Sequence, residues 1–194
     1  MKDPLGVIDG FAAHIASHTT AHLVYAGPDV EAVTDDPEGR EILKVACEHR
    51  EALAPDIRAR IHLAQLPMED LEENAAIVNA LQRNADVVVQ KSLAEGFGLT
   101  VAEAMWKGRP VVASRVGGIE DQIVDGVSGV LVDRPDGLAA YGAAVVDLLS
   151  RPEMGRRMGA AARARVAELF LGTHSLLSYL AVIEPLLQPW KRAA

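Results

Sequence analysis

The chain has 194 residues, with 19 Lys+Arg against 27 Asp+Glu and a formal net charge of −8. Its 49% hydrophobic and 24% charged content excludes a disordered chain, and the acidic balance with only 4% aromatic residues excludes broad binding to nucleic acid or anionic membrane. A single cysteine, Cys47, leaves no intrachain disulfide and no cysteine-based zinc site, which fits a reducing, cytoplasmic setting.

A compact chain of this size would expose roughly 8,900 Å² and bury about 70% of its unfolded surface, enough for a core without staples. The start, Met1-Lys2-Asp3-Pro4, has no apolar targeting region. No uncharged apolar run approaches 18 residues, so no membrane span is predicted.

Leu5, Ile8, Ala12 and Ile15 recur at helical spacing and predict an amphipathic helix over 5–18. A short strand follows over 21–26, stopped by Gly27-Pro28. Asp35-Asp36-Pro37-Glu38-Gly39 reads as a turn into a helix over 38–50, with Pro37 near its first position. Ile61 to Ala64 is a second strand. Pro67-Met68-Glu69-Asp70 opens a helix that runs to about Asn84. The run 86–90 is a buried strand, being apolar on both faces. A helix is predicted over 98–107 with Gly108 as its cap, then strands at 110–114 and 129–132, then helices at 137–150, 152–169 and 173–187. Strands alternating with helices predict an α/β fold, a Rossmann-like parallel sheet with helices on both faces. Ligands of such sheets bind beyond the carboxyl ends of the strands.

Beyond Gln90 the chain reads Lys91-Ser92-Leu93-Ala94-Glu95-Gly96-Phe97-Gly98-Leu99-Thr100-Val101-Ala102-Glu103. Gly96 and Gly98 let backbone approach a ligand, and the helix start offers unpaired amides to an anion. Glu95 precedes that helix and Glu103 lies within it, with Gly98 to Glu103 spanning roughly 7.5 Å. Carboxylates so placed can meet the two ends of an elongated ligand, with a diphosphate over the helix terminus between. A glycine pair before a helix is common, and acids eight apart are usually solvated. A second glycine-rich turn, Ser114-Arg115-Val116-Gly117-Gly118-Ile119-Glu120, opens onto the same sheet edge.

Glu95 to Glu103 resembles the E-x7-E signature of retaining GT-B glycosyltransferases (glycosyl transferases group 1). The surrounding Glu-Gly-Phe-Gly-Leu-Thr-Val-Ala-Glu-Ala-Met, Gly-Arg-Pro-Val-Val, Gly-Gly-Ile-Glu and Asp125-Gly126-Val127-Ser128-Gly129 follow the family pattern in order and spacing. A narrower resemblance, to the branch of trehalose glycosyltransferring synthases and trehalose phosphorylases, rests on 35–39, 78–83, 89–92 and 104–110. The resemblance implies a nucleotide-sugar donor domain. Glu103 would accept hydrogen bonds from ribose hydroxyls, and Glu95 would sit near the donor sugar as the catalytic residue, the two not forming the acid and base pair of a glycoside hydrolase. Amides around Gly96, Phe97, Gly98, Leu99 and Thr100 would hold sugar hydroxyls and the distal phosphate. Lys2 matches the family lysine that grips the diphosphate, and Lys91 could reach a phosphate from its strand end. The donor would be a nucleotide-glucose such as ADP- or UDP-glucose, with no separate cofactor and no metal. The acceptor would be glucose, or, in the alternative, glucose 1-phosphate would replace the nucleotide donor in a phosphorylase.

Family enzymes have two Rossmann-like domains, and this chain resembles the second only. Its expected span is one donor domain over 1–194, lacking the first strand and the phosphate-binding arginine after it. The acceptor domain would be missing or carried by a separate chain, and the chain alone is expected to transfer little or no sugar. A truncated fragment or a binding subunit, alone or as an oligomer, is the reading outside catalysis. Arg115 is a weaker phosphate candidate. His14, His18 and His22 are four apart but do not share one predicted helix, so no metal set is assigned. Met105 and Trp106 read as packing, Cys47 as inert, Trp190 as exposed, and Gln65 and Leu66 as the loop near the base.

Overall fold

The computed structural model describes residues 2–29 and 37–191. The predicted turn at Asp35-Asp36 and the side chain of Trp190 lie outside that description. Helix α1 spans Pro4–Gly10, with Pro4 in its first turn and Asp3 as its cap, accepting from the Gly6 amide at 2.9 Å. It continues as a π-helical turn over Phe11–Ile15, closed by the Ala16 amide on the Phe11 carbonyl at 2.8 Å. The single amphipathic helix predicted over 5–18 is thus two segments. The wider turn changes the buried face to Ile8, Phe11 and Ile15, while Ala12 is half-buried.

Strand β1 (Leu23–Pro28) pairs in parallel with β2 (Ile61–Leu66), and between them run α2 (Pro37–Glu51) and the single turn α3 (Pro55–Arg58). Gly27 and Pro28 do not stop β1. They stay in register with Gln65 and Leu66. A proline is tolerated there because, among the described residues, β1 has a hydrogen-bonded neighbour on one side only. Helix α4 (Leu71–Asn84) starts at Asp70, whose carboxylate accepts from Glu72 at 2.8 Å and Glu73 at 3.1 Å. It leads into β3 (Val88–Gln90), α5 (Leu99–Trp106), β4 (Val111–Ser114), the single turn α6 (Ile119–Gln122) and β5 (Val130–Val132). The chain ends in three helices, α7 (Leu138–Ser150), α8 (Pro152–Leu169) and α9 (Gly172–Lys191).

All pairings among these strands are parallel, but the sheet is divided. β1–β2 form one piece and β3–β4–β5 another, with β4 central and buried along its length. Among the described residues β1, β2, β3 and β5 each have a neighbouring strand on one side only. The two pieces share one core, in which Ile8, Phe11, Ile61, Val112, Val132 and Tyr141 pack together. A second cluster forms under α5, where Val101, Ala104 and Met105 meet Val111, Ile119 and Ala162.

Helix α1 and its π turn lie close on α7 through two glycines. A Cβ on Gly10 would stand 2.4 Å from the Tyr141 ring, and one on Gly142 would stand 2.3 Å from the His14 Cβ. Helix α9 is different. Leu176, Leu177, Tyr179, Leu180, Val182 and Leu186 along it are all exposed. The accessible surface of 11558 Å² accordingly exceeds the roughly 8,900 Å² of a compact chain of this mass. The helical region ending at Leu187 holds an 18-residue window of mean hydropathy 1.5, long and apolar enough to cross a membrane by length and composition. Histidine and a lone glutamate interrupt the run but do not lower its mean enough to exclude it.

Candidate functional site

The loop from β3 to α5 lies at the carboxyl end of β3, beside the glycine-rich turn that follows β4. The two loops interlock through backbone. The Gly118 amide donates to the Gly96 carbonyl at 2.7 Å. A Cβ on Gly117 would stand 1.9 Å from the Glu95 carbonyl oxygen, and one on Gly118 would stand 2.6 Å from that of Gly96. Only glycine permits this approach, and Gly117 also has a φ of +53°. Gln122, fully buried on α6, donates from its side-chain amide to the Phe97 carbonyl and ties the loop down further.

Helix α5 begins without a capping side chain. Its N-cap is Gly98, left-handed at φ 88° and ψ 55°. The Gly98 carbonyl accepts from Val101 at 2.9 Å and Ala102 at 3.3 Å, whereas the Leu99 and Thr100 amides meet no acceptor among the described residues. Helices α1 and α4 satisfy such amides with Asp3 and Asp70. The start of α5 therefore keeps donors, and the positive end of its dipole, available to an anion. Phe97 and Leu99 are exposed at this end, and Phe97 packs edge-on against Phe170 with centroids 6.1 Å apart.

The two acids are each held by a glutamine. Glu95 is half-buried. Its Oε2 accepts from the buried Gln90 amide at 3.3 Å and from the Ser92 hydroxyl at 3.5 Å, while its Oε1 accepts from the Gly96 amide at 3.2 Å. Gln90 also donates to the Ser92 hydroxyl at 3.0 Å, and the Ser92 amide donates to the Ser114 hydroxyl at 3.1 Å. Glu103 is exposed, one turn along α5 from Leu99, and its Oε2 accepts from the Gln82 amide at 3.4 Å. Gln82, Gln90, Ser92 and Ser114 had no site role in the sequence. For Gln90, Ser92 and Ser114 the signal open to sequence reading was polar side chains at the carboxyl ends of otherwise apolar strands, whereas Gln82, on α4, offered none.

The lysines differ. Lys2 is exposed, and its backbone bridges to Ser92 in antiparallel fashion. Lys91 is buried, with 4% of its side chain exposed, and its ammonium is ion-paired to Asp3. The Asp3 amide also donates to the Lys91 carbonyl at 3.2 Å, so Asp3 joins the end of β3 by two bonds to Lys91 and α1 by two more, from the Gly6 and Val7 amides. Arg115 is engaged by Asp133 at 2.5 Å and Asp125 at 2.9 Å. The Asp133 hydrogen bond, with the charges of Asp133 and Asp125, raises its pKa above the ordinary guanidinium value.

Other candidates separate. His14 lies against Gly142, His18 meets the Ser17 hydroxyl at 3.0 Å, and His22 stacks on His62 with centroids 5.3 Å apart. Met105 is fully buried, whereas Trp106 is exposed beneath the Arg163 guanidinium. Cys47 is exposed on α2, and Gln65 and Leu66 close β2.

Residues 62–165, more than half of the chain, match the family Glycosyl transferases group 1. Among curated proteins, a trehalose synthase of Rubrobacter xylanophilus is 41% identical over 186 residues, covering 96% of this chain and 41% of that protein. The chain thus spans about two fifths of that relative's length. Among solved structures, the sucrose-phosphate synthase of Thermosynechococcus elongatus superposes with a TM-score of 0.70 at 28% identity, covering 95% of this chain and 43% of that one. Anabaena HepE in complex with UDP-glucose superposes with a TM-score of 0.70 at 19% identity, covering 93% and 45%, a likeness of fold. The sequence signature, the parallel α/β architecture and the matched span agree: this chain belongs to the Glycosyl transferases group 1 family.

Proposed function

We propose that this chain is the donor-binding part of a retaining glycosyltransferase that moves glucose from a nucleotide-glucose to glucose, giving trehalose. The observation that carries this reading is the uncapped start of α5, with free Leu99 and Thr100 amides flanked by Glu95 and Glu103. The likeness to a trehalose synthase supports the choice of sugar and acceptor.

In this reading Glu103 accepts from the ribose hydroxyls and Glu95 faces the donor sugar. The amides at Phe97 to Thr100 bind the distal phosphate and sugar hydroxyls. Transfer breaks the bond between the sugar's anomeric carbon and the diphosphate oxygen, and negative charge gathers on the leaving nucleotide. The helix terminus and Lys2 offset that charge, which lowers the barrier electrostatically. Lys91 joins them only by exchanging Asp3 for a phosphate oxygen. Groups that bind and select the acceptor lie outside these residues, in the same longer chain or in a separate one. A strand between β1 and β3 would join the two sheet pieces, whose edges at β1, β2, β3 and β5 are unpaired among the described residues. The chain alone then transfers little or no sugar.

Thermal unfolding with ADP, UDP and GDP, each at 100 times its Kd, tests the reading. Binding at that level stabilises by about 2.7 kcal/mol, or roughly 5–11 °C for a chain of this size. A shift with one nucleotide names the base. No shift with any of them refutes the donor site. Trehalose formed by the chain alone from nucleotide-glucose and glucose refutes the division of labour.

A further inference from the structure

We propose that Gln82 is a positioning residue for Glu103, and that the Lys107–Gln82–Glu103 relay sets the site's preference for a nucleotide with ribose hydroxyls over one without them. This rests on the donor-site reading above.

Gln82 lies near the end of α4 and is 8% exposed. A buried primary amide needs partners at both its oxygen and its nitrogen. The Gln82 oxygen accepts from the Lys107 ammonium, which immediately follows α5. An ammonium is donor only, so this contact fixes the amide oxygen toward Lys107 and turns the nitrogen toward the Glu103 carboxylate. The amide orientation thus follows from chemistry and not from an arbitrary choice between oxygen and nitrogen.

Glu103 and Lys107 are four apart, the spacing at which Glu and Lys on a helix pair directly. Among the described residues no ion pair joins them. Gln82, from another element, stands between and bonds both. Two consequences follow for Glu103. Its Oε2 is held toward α4, which restricts an otherwise exposed and flexible side chain. Its Oε1 meets no donor among the described residues and is left to accept from a ligand. A direct lysine contact would occupy the same carboxylate.

The test is titration calorimetry on the full chain with whichever of ADP, UDP or GDP binds tightest, and with its 2′,3′-dideoxy counterpart. Wild type should prefer the ribonucleotide by about tenfold or more, the scale of hydrogen bonds to a charged acceptor. Gln82→Met keeps the volume and removes both polar ends. It should cut that preference by about three- to tenfold while the dideoxy affinity stays within about twofold. Lys107→Met, which frees the amide to turn over, should move the preference in the same direction. It serves as the test should Gln82→Met not unfold cooperatively.

Glu103→Gln separates the possible failures. If Glu103→Gln loses the preference but Gln82→Met and Lys107→Met keep it, the relay is refuted and the donor site stands. If Gln82→Met weakens both nucleotides equally, its role is structural and the relay is likewise refuted. If Glu103→Gln keeps the preference, or wild type binds no nucleotide, the donor-site reading fails and the relay falls with it.

Discussion

The interlock between the two glycine loops can be separated into its two causes by three alanine substitutions. Gly126 has a φ of +73° with nothing within 4 Å of a built Cβ, so Gly126→Ala carries only the left-handed backbone penalty. That penalty is about 1–2 kcal/mol. Gly118 has an ordinary φ of −64°, but its Cβ would stand 2.6 Å from the Gly96 carbonyl oxygen and 3.0 Å from the Phe97 Cα. Gly118→Ala therefore carries only the steric cost, about 1–3 kcal/mol for forced overpacking. Gly117→Ala carries both, since its φ is +53° and its Cβ would stand 1.9 Å from the Glu95 carbonyl oxygen. Backbone cannot swing aside as a side-chain tip can, so the loop that bears Glu95 must move. The expected loss for Gly117→Ala is about 2–5 kcal/mol. At 2–4 °C per kcal/mol, Tm should fall by about 2–8 °C for Gly126→Ala and by about 4–20 °C for Gly117→Ala. Nucleotide-induced stabilisation should also shrink in Gly117→Ala and Gly118→Ala and persist in Gly126→Ala. Equal losses in Gly117→Ala and Gly126→Ala would refute the steric argument. Full nucleotide response in Gly117→Ala would refute the coupling of the two loops.

Further predictions concern stability. Asp3→Asn leaves the buried Lys91 ammonium uncompensated and should lower unfolding stability by about 3–5 kcal/mol, read by urea titration. Asparagine keeps the cap, so a near-neutral Asp3→Asn would mean that Asp3 acts only as a cap, and the double variant Asp3→Asn with Lys91→Met should recover part of the loss. Met105→Ala opens a cavity beneath α5 and should cost about 2–5 kcal/mol, seen as a lower denaturation midpoint at unchanged slope. Leu186→Ser, at a side chain 72% exposed, should change stability by less than about 0.5 kcal/mol. A larger fall would show that α9 is covered in solution, and sedimentation of the same samples would identify self-association as the cover.

Much of the architecture was legible because long periodic segments announce themselves. Leu71–Asn84 and Pro152–Leu169 appear close to their predicted ends, and the strand run at 110–114 became the fully buried β4. Features that depend on one residue or one turn were not legible. A π turn at Phe11–Ile15 inserts a residue that apolar spacing over 5–18 cannot resolve. Pro28 was read as a stop because sequence does not reveal which strand edge lacks a neighbour. Glu95 and Glu103 stood out through their spacing around two glycines. Gln82 and Gln90 did not, because a glutamine becomes informative only once packing shows it buried against a carboxylate. The Asp3 pairing that claims Lys91 joins residues 88 apart in the chain, beyond the reach of local pattern.

The close contact of α1 with α7 has a consequence during synthesis. Gly10 against Tyr141 and Gly142 against His14 are the approaches that seat the first helix. Roughly 130 residues separate the two sides, so at ribosomal rates the partner arrives about 7–26 s after α1 itself has been made. Over that interval Ile8, Phe11 and Ile15, all buried in the finished fold, have no α7 to lie on. Helix α1 therefore waits on a helix made roughly 130 residues later, and over that interval its apolar face is open to holdase chaperones.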